Sequence, residues 1–90
     1  MVDSVGLGKF LFLERISHAY TQAFVADITN ISERTLRYIE SGSVIPELNT
    51  YWTLCDLYGV PPEMGFAFYR RSPDMEHSMK ILKKEMISMN

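Results

Sequence analysis

Ninety residues make one domain, with room for a small helical core but below the size at which a core has stability to spare. Hydrophobic residues at 47% and charged residues at 22% exclude a disordered tail, and a net charge of −2 excludes a strongly basic, counterion-driven nucleic-acid footprint. The single cysteine, Cys55, excludes an internal disulfide, and the apolar run Phe10 to Leu13 is too short to span a bilayer, so a cytoplasmic chain is expected.

In chain order, Asp3 or Ser4 caps a first helix over roughly residues 5–18, with Leu7, Leu11 and one or both of Phe10 and Ile16 facing inward. Thr21 caps the next helix, since its hydroxyl can take up a free N–H of the first turn and Gln22 to Ile28 contain neither Gly nor Pro. Val25 and Ala26 face inward. Asn30, a non-glycine residue that tolerates a left-handed backbone, is the pivot of a tight turn. Ser32 caps a third helix in which Leu36 and Ile39 share one face while Glu33, Arg34, Arg37 and Tyr38 point elsewhere, and Gly42 stops it. Ser43 to Pro46 is a loop. Glu47 to Tyr58 reads as a fourth helix with Leu48, Tyr51, Leu54, Cys55 and Tyr58 on its core face and Trp52 at the edge of the core. On that face Cys55 is a small buried hydrophobe rather than a nucleophile. Pro61-Pro62-Glu63 opens a fifth short helix that ends near Tyr69.

Arg70-Arg71-Ser72-Pro73 is a linker-like break that divides the chain into residues 1–69 and 70–90. Ser72 and Pro73 then open an amphipathic helix over roughly residues 73–88, in which Met75, Met79, Leu82, Met86 and Met89 recur at heptad spacing. About two heptads are too short to be stable alone, so this stripe packs on its own subunit or forms a dimer seam.

The two short helices and tight turn between Thr21 and Gly42 make a helix-turn-helix, and the stretch resembles the lambda-repressor/Cro-like, or xenobiotic response element (XRE), family. Gln22 opens the first motif helix, Val25 and Ala26 pack inward, and Asn30 stands where the family usually has Gly. Ile31, Leu36 and Ile39 occupy its hydrophobic positions, and Ile39-Glu40-Ser41-Gly42 is similar to its Ile-Glu-Asn-Gly signature. Thr29 departs from the pattern, standing where an aliphatic residue is usual, which predicts weaker packing under the turn. The resemblance implies an all-α fold: a five-helix lambda-repressor-like domain followed by the additional C-terminal helix. It also implies that Arg15, seven residues before Gln22, forms a structural ion pair with Glu40; a phosphate contact is the alternative role for Arg15. Tyr20 falls at an aliphatic core position, predicting a buried ring with its hydroxyl at the surface. Phe24 and Ile28 fall where the family carries polar side chains, so the C-terminal segment or a partner is expected to cover them.

The function this resemblance implies is that of a sequence-specific DNA-binding transcriptional regulator, a homodimer reading a palindromic operator through the helix of about residues 32–41. Arg34 is the expected base reader, because a guanidinium can bond both O6 and N7 of guanine, and Glu33 could accept from a cytosine amino group. Gln22 is expected to brace the phosphate backbone or reach an adjacent base. Thr21, Ser32, Thr35, Ser41 and Ser43 are phosphate-contact candidates; Arg37 and Tyr38 are further DNA contacts, with a surface Glu33–Arg37 ion pair as the structural alternative. Many family members carry Lys or Arg after the signature Gly, whereas Ser43-Val44-Ile45 stand here, so backbone anchoring is reduced. A second reading keeps the fold but makes it a protein-interaction module, an antitoxin-like partner binder or the head of a larger sensor. Phe24, Ile28, Met75, Met79, Leu82 and Met86 would then meet a second copy or a protein or peptide effector. His18 and His77 lack other ligands at metal-binding spacing and no nucleophilic or phosphate-loop motif is present, so neither enzyme activity nor a cofactor is expected.

Overall fold

The computed structural model describes residues 2–69. Helix α1, Ser4–Ser17, starts on Asp3, whose carboxylate accepts the Gly6 N–H at 2.9 Å. It closes through Ala19, which has φ +58: the Ala19 N–H donates to the Ile16 carbonyl at 2.9 Å and the Tyr20 N–H to the Arg15 carbonyl at 3.2 Å. Helices α2, Gln22–Thr29, and α3, Glu33–Glu40, follow, then α4, Leu48–Tyr58, and a 3-10 helix, Pro62–Tyr69. The described residues are helical with no strand, and none of their helices is long and apolar enough to cross a membrane.

α1 packs on α3, α4 and the 3-10 helix, and α2 packs on α3 and α4. Their inward stripes supply Leu7 and Leu11, Val25, Leu36 and Ile39, and Tyr51, Leu54, Cys55 and Tyr58, each no more than 2% exposed. Fully burying an aliphatic side chain of this kind contributes roughly 1.5–3 kcal/mol to stability. Close approach of α1 to the end of α3 depends on Gly8, where a Cβ would collide with the Ile39 carbonyl oxygen and lie 3.0 Å from that of Glu40. The Asp3 N–H donates to the Phe68 carbonyl at 2.7 Å, which fastens the 3-10 helix to the start of the chain.

The structure overturns the inward face expected of Leu48 and refines three other expectations. Of Phe10 and Ile16, Phe10 is the one that packs against the core, while Ile16 is half exposed, because the buried stripe of α1 runs Leu7, Leu11, Arg15 and turns Ile16 outward. Leu48 is 65% exposed: it is the first residue of α4, beyond the layer that covers Tyr51, and with Pro46, Phe66 and Tyr69 it lines a shallow apolar hollow of about 160 Å³. Trp52 is 46% exposed, with the rest of its surface covered by the protein, as a position at the edge of the core requires. The fifth helix is 3-10, opened by a Met64 N–H to Pro61 carbonyl bond of 3.0 Å, and Gly65 within it lets the Tyr51 hydroxyl in where a side chain would overlap it. The amphipathic stripe of Met75, Met79, Leu82, Met86 and Met89 lies outside the described residues.

Candidate nucleic-acid interface

Local hydrogen bonds explain why Thr21 to Gly42 folds as two helices and a turn. Thr21 Oγ1 accepts the Phe24 N–H at 3.0 Å, satisfying one of the free donors at the start of α2. At the other end Thr29 Oγ1 donates to the Val25 carbonyl at 2.7 Å and accepts the Ile31 N–H at 3.3 Å. The hydroxyl thus spans the turn, so polar bonds stand where the family usually places an aliphatic contact. Asn30 has φ 61 and ψ 18, the left-handed conformation that reverses the chain. Ser32 Oγ accepts the Thr35 N–H at 3.0 Å and donates to Thr35 Oγ1 at 2.7 Å, capping α3. Gly42, at φ 80, ends the motif.

A charged network fixes the angle between these helices. Arg15 Nε and Nη2 donate to Glu40 Oε2 and Oε1 at 2.7 and 2.9 Å, and Nη1 donates to the Tyr20 carbonyl at 2.8 Å. Gln22 Nε2 donates to Glu40 Oε1 at 3.0 Å. One carboxylate therefore joins α1, the start of α2 and the end of α3. The hydrogen bond to Glu40 raises the Arg15 pKa above its already high ordinary value, outweighing the desolvation that lowers it. Arg15 also lies over the Phe12 ring, 5.4 Å from its centroid.

A family model described as helix-turn-helix matches residues 12–64, more than half of the chain. The chain belongs to the XRE/lambda-repressor-like helix-turn-helix family. That family is one of DNA-binding transcription regulators. No curated protein and no solved structure matches the chain.

Within the helix-turn-helix, α3 divides cleanly by face. Leu36 and Ile39 are buried, while Glu33, Arg34, Thr35, Arg37 and Tyr38 are exposed together on the outer side. Arg34 is held by its own helix, with Nε donating to the Tyr38 hydroxyl at 3.1 Å. Glu33 and Arg37 form no ion pair; among the described residues the ion pair is Arg15–Glu40. Thr21, Gln22 and Glu33 line an open hollow of about 650 Å³ with Arg15, Tyr20 and Ala23. The exposed Ala23, not singled out from the sequence, lies in the first turn of α2, where backbone N–H groups favour an anion; its signal was the cap at Thr21. Ser41 Oγ donates to the Tyr38 carbonyl at 3.0 Å and lies 2.8 Å from Ser43 Oγ, so both hydroxyls already have protein partners. Phe24 and Ile28 are 43% and 54% exposed on α2. Among the described residues no group of three or more His, Cys, Asp or Glu could hold a metal ion.

Proposed function

We propose that this chain is a sequence-specific transcription regulator that reads a palindromic operator as a two-fold dimer, with α3 in the major groove. The observation that carries this reading is the outer face of α3: five exposed polar or aromatic side chains, backed by a buried face that leaves no freedom to rotate the helix. Arg34 reads guanine through a bidentate contact and Glu33 accepts from a cytosine amino group. Thr21, Gln22 and Thr35 meet phosphates, with the first turn of α2 adding backbone donors. Two copies present their α3 helices about 34 Å apart, matching successive major grooves on one side of the duplex.

Selection of bound sequences from random duplex DNA tests this. A two-fold symmetric motif containing guanine is expected. Arg34→Ala should cost ~1–3 kcal/mol at the selected site and relax preference at one base-pair position, while Gln22→Ala weakens all sequences alike. Equal losses on every sequence from both variants would reduce Arg34 to a phosphate contact, and absence of any selected motif at low salt would remove the proposal. Exposed Phe24 and Ile28 favour a second reading, in which the same fold binds a protein or peptide effector through α2. Phe24→Ser with Ile28→Ser leaves DNA selection intact if that surface serves only such a partner.

A further inference from the structure

Arg34 and Tyr38 stand four residues apart on α3, so their side chains are neighbours along its exposed face. The Arg34 Nε–H donates to the Tyr38 hydroxyl at 3.1 Å, and the guanidinium carbon lies 5.5 Å from the Tyr38 ring centroid. A directed hydrogen bond and a cation–π contact therefore restrain one long side chain. Arg37, on the same helix, makes neither contact.

The restraint decides which part of the guanidinium faces outward. Arginine has five N–H donors in a planar fork, and committing Nε leaves those on the two Nη nitrogens, which form an end-on pair. Guanine offers two acceptors in the major groove, N7 and O6, and an end-on pair meets both; adenine offers N7 but sets an amino donor where O6 would be. A freely swinging arginine escapes that donor–donor conflict by turning to a phosphate, whereas a braced one does not. Resting on the DNA-reading role of α3, we infer that Tyr38 is a positioning residue for specificity. It touches no base, and its hydroxyl fixes Arg34 end-on so that guanine is preferred over adenine at one base-pair position.

The test uses the full chain, its selected duplex and single base-pair variants of that duplex, with binding followed by fluorescence anisotropy. Tyr38→Phe keeps the ring and removes the hydroxyl, so it should lower the guanine-over-adenine preference at the Arg34 position by about three- to tenfold and leave other positions unchanged. In an Arg34→Ala background the same change should have no further effect. A loss of preference at a different base pair, or an effect that persists without Arg34, shows Tyr38 contacting DNA itself and overturns the inference. So does a silent Tyr38→Phe in a chain that still selects its site through Arg34, an outcome that leaves the proposed function standing. A chain that selects no sequence removes both. Without DNA, the Arg34 Nε–H resonance should exchange with solvent more slowly than that of Arg37 and match it in Tyr38→Phe; equal exchange in the unmodified chain overturns the brace directly.

Discussion

Every nitrogen of the Arg15 guanidinium donates to a protein acceptor, and two of the three reach one carboxylate. Removing either charge strands the other in a site less than 10% exposed, so Arg15→Ala and Glu40→Ala should each cost about 3–5 kcal/mol in urea unfolding. The pair Arg15→Met with Glu40→Leu should cost less than the sum of its singles. Losses below about 1 kcal/mol would mean that the network behaves as a surface ion pair. Tyr58 presents the opposite case, a buried hydroxyl with no hydrogen-bond partner among the described residues. Tyr58→Phe should accordingly change stability at neutral pH by less than about 1 kcal/mol, or increase it. Burial raises the pKa of Tyr51, Tyr58, Tyr69 and Cys55 above ordinary values of 10.0 for the phenols and 9.0 for the thiol. Each folded-state pKa exceeds its unfolded value, so the stability linked to the neutral form is complete below the unfolded value and is lost as pH rises through the folded one. Urea midpoints should stay level from neutral pH to about 9 and then fall, with a shallower fall in Tyr58→Phe. A level profile through pH 11 would contradict the burial of these groups.

At the scale of elements, Ala19 closes α1 in a conformation that costs an L-residue roughly 1–2 kcal/mol, while glycine there loses about 0.5–1 kcal/mol in chain entropy. Ala19→Gly should therefore raise the melting temperature slightly, by the equivalent of a few tenths to about 1 kcal/mol; a decrease would show that the closure is not strained. Gly8→Ala should cost about 1–3 kcal/mol or more, because the added methyl meets backbone that cannot swing away. The order of these elements was legible in the sequence because their ends carry local chemistry: Thr21, Asn30, Ser32 and Gly42 each set a boundary through a hydrogen bond or backbone angle of their own. Periodicity gives the face of a helix but not where the layer opposite it ends, so it sets Leu48 inward although that side chain is 65% exposed. At Thr29 the sequence predicts weaker packing under the turn but does not show that the hydroxyl finds both a carbonyl and an N–H there. On α3 the spacing of Glu33 and Arg37 equals that of Arg34 and Tyr38, so spacing alone could not choose between the two pairs.

At the scale of the molecule, the acidic balance sets how binding should respond to salt. Residues 1–60 carry Lys9, Arg15, Arg34 and Arg37 as their basic side chains, and Arg15 is engaged internally. The slope of log affinity against log salt for the proposed dimer should then correspond to roughly four to six phosphate contacts. A slope near −10, of the size seen for proteins making many phosphate contacts, would mean that Arg70, Arg71 and the lysines beyond them also reach the duplex. The proposed dimer, with its seam expected at the methionine-rich stripe, is tested at Leu82. Leu82→Lys should shift sedimentation toward monomer and weaken operator binding, because two linked half-sites become independent. An unchanged dimer would move the search for its interface to α4 and the 3-10 helix.

The split faces of α3 bear on how readily the proposed sequence preference can change over time. Residues 33, 34, 37 and 38 are exposed, whereas the fold is held by Leu36, Ile39 and the Glu40 carboxylate. New recognition surfaces can therefore accumulate on this scaffold one substitution at a time, each altering stability by no more than about 0.5 kcal/mol, without an intermediate too unstable to survive selection.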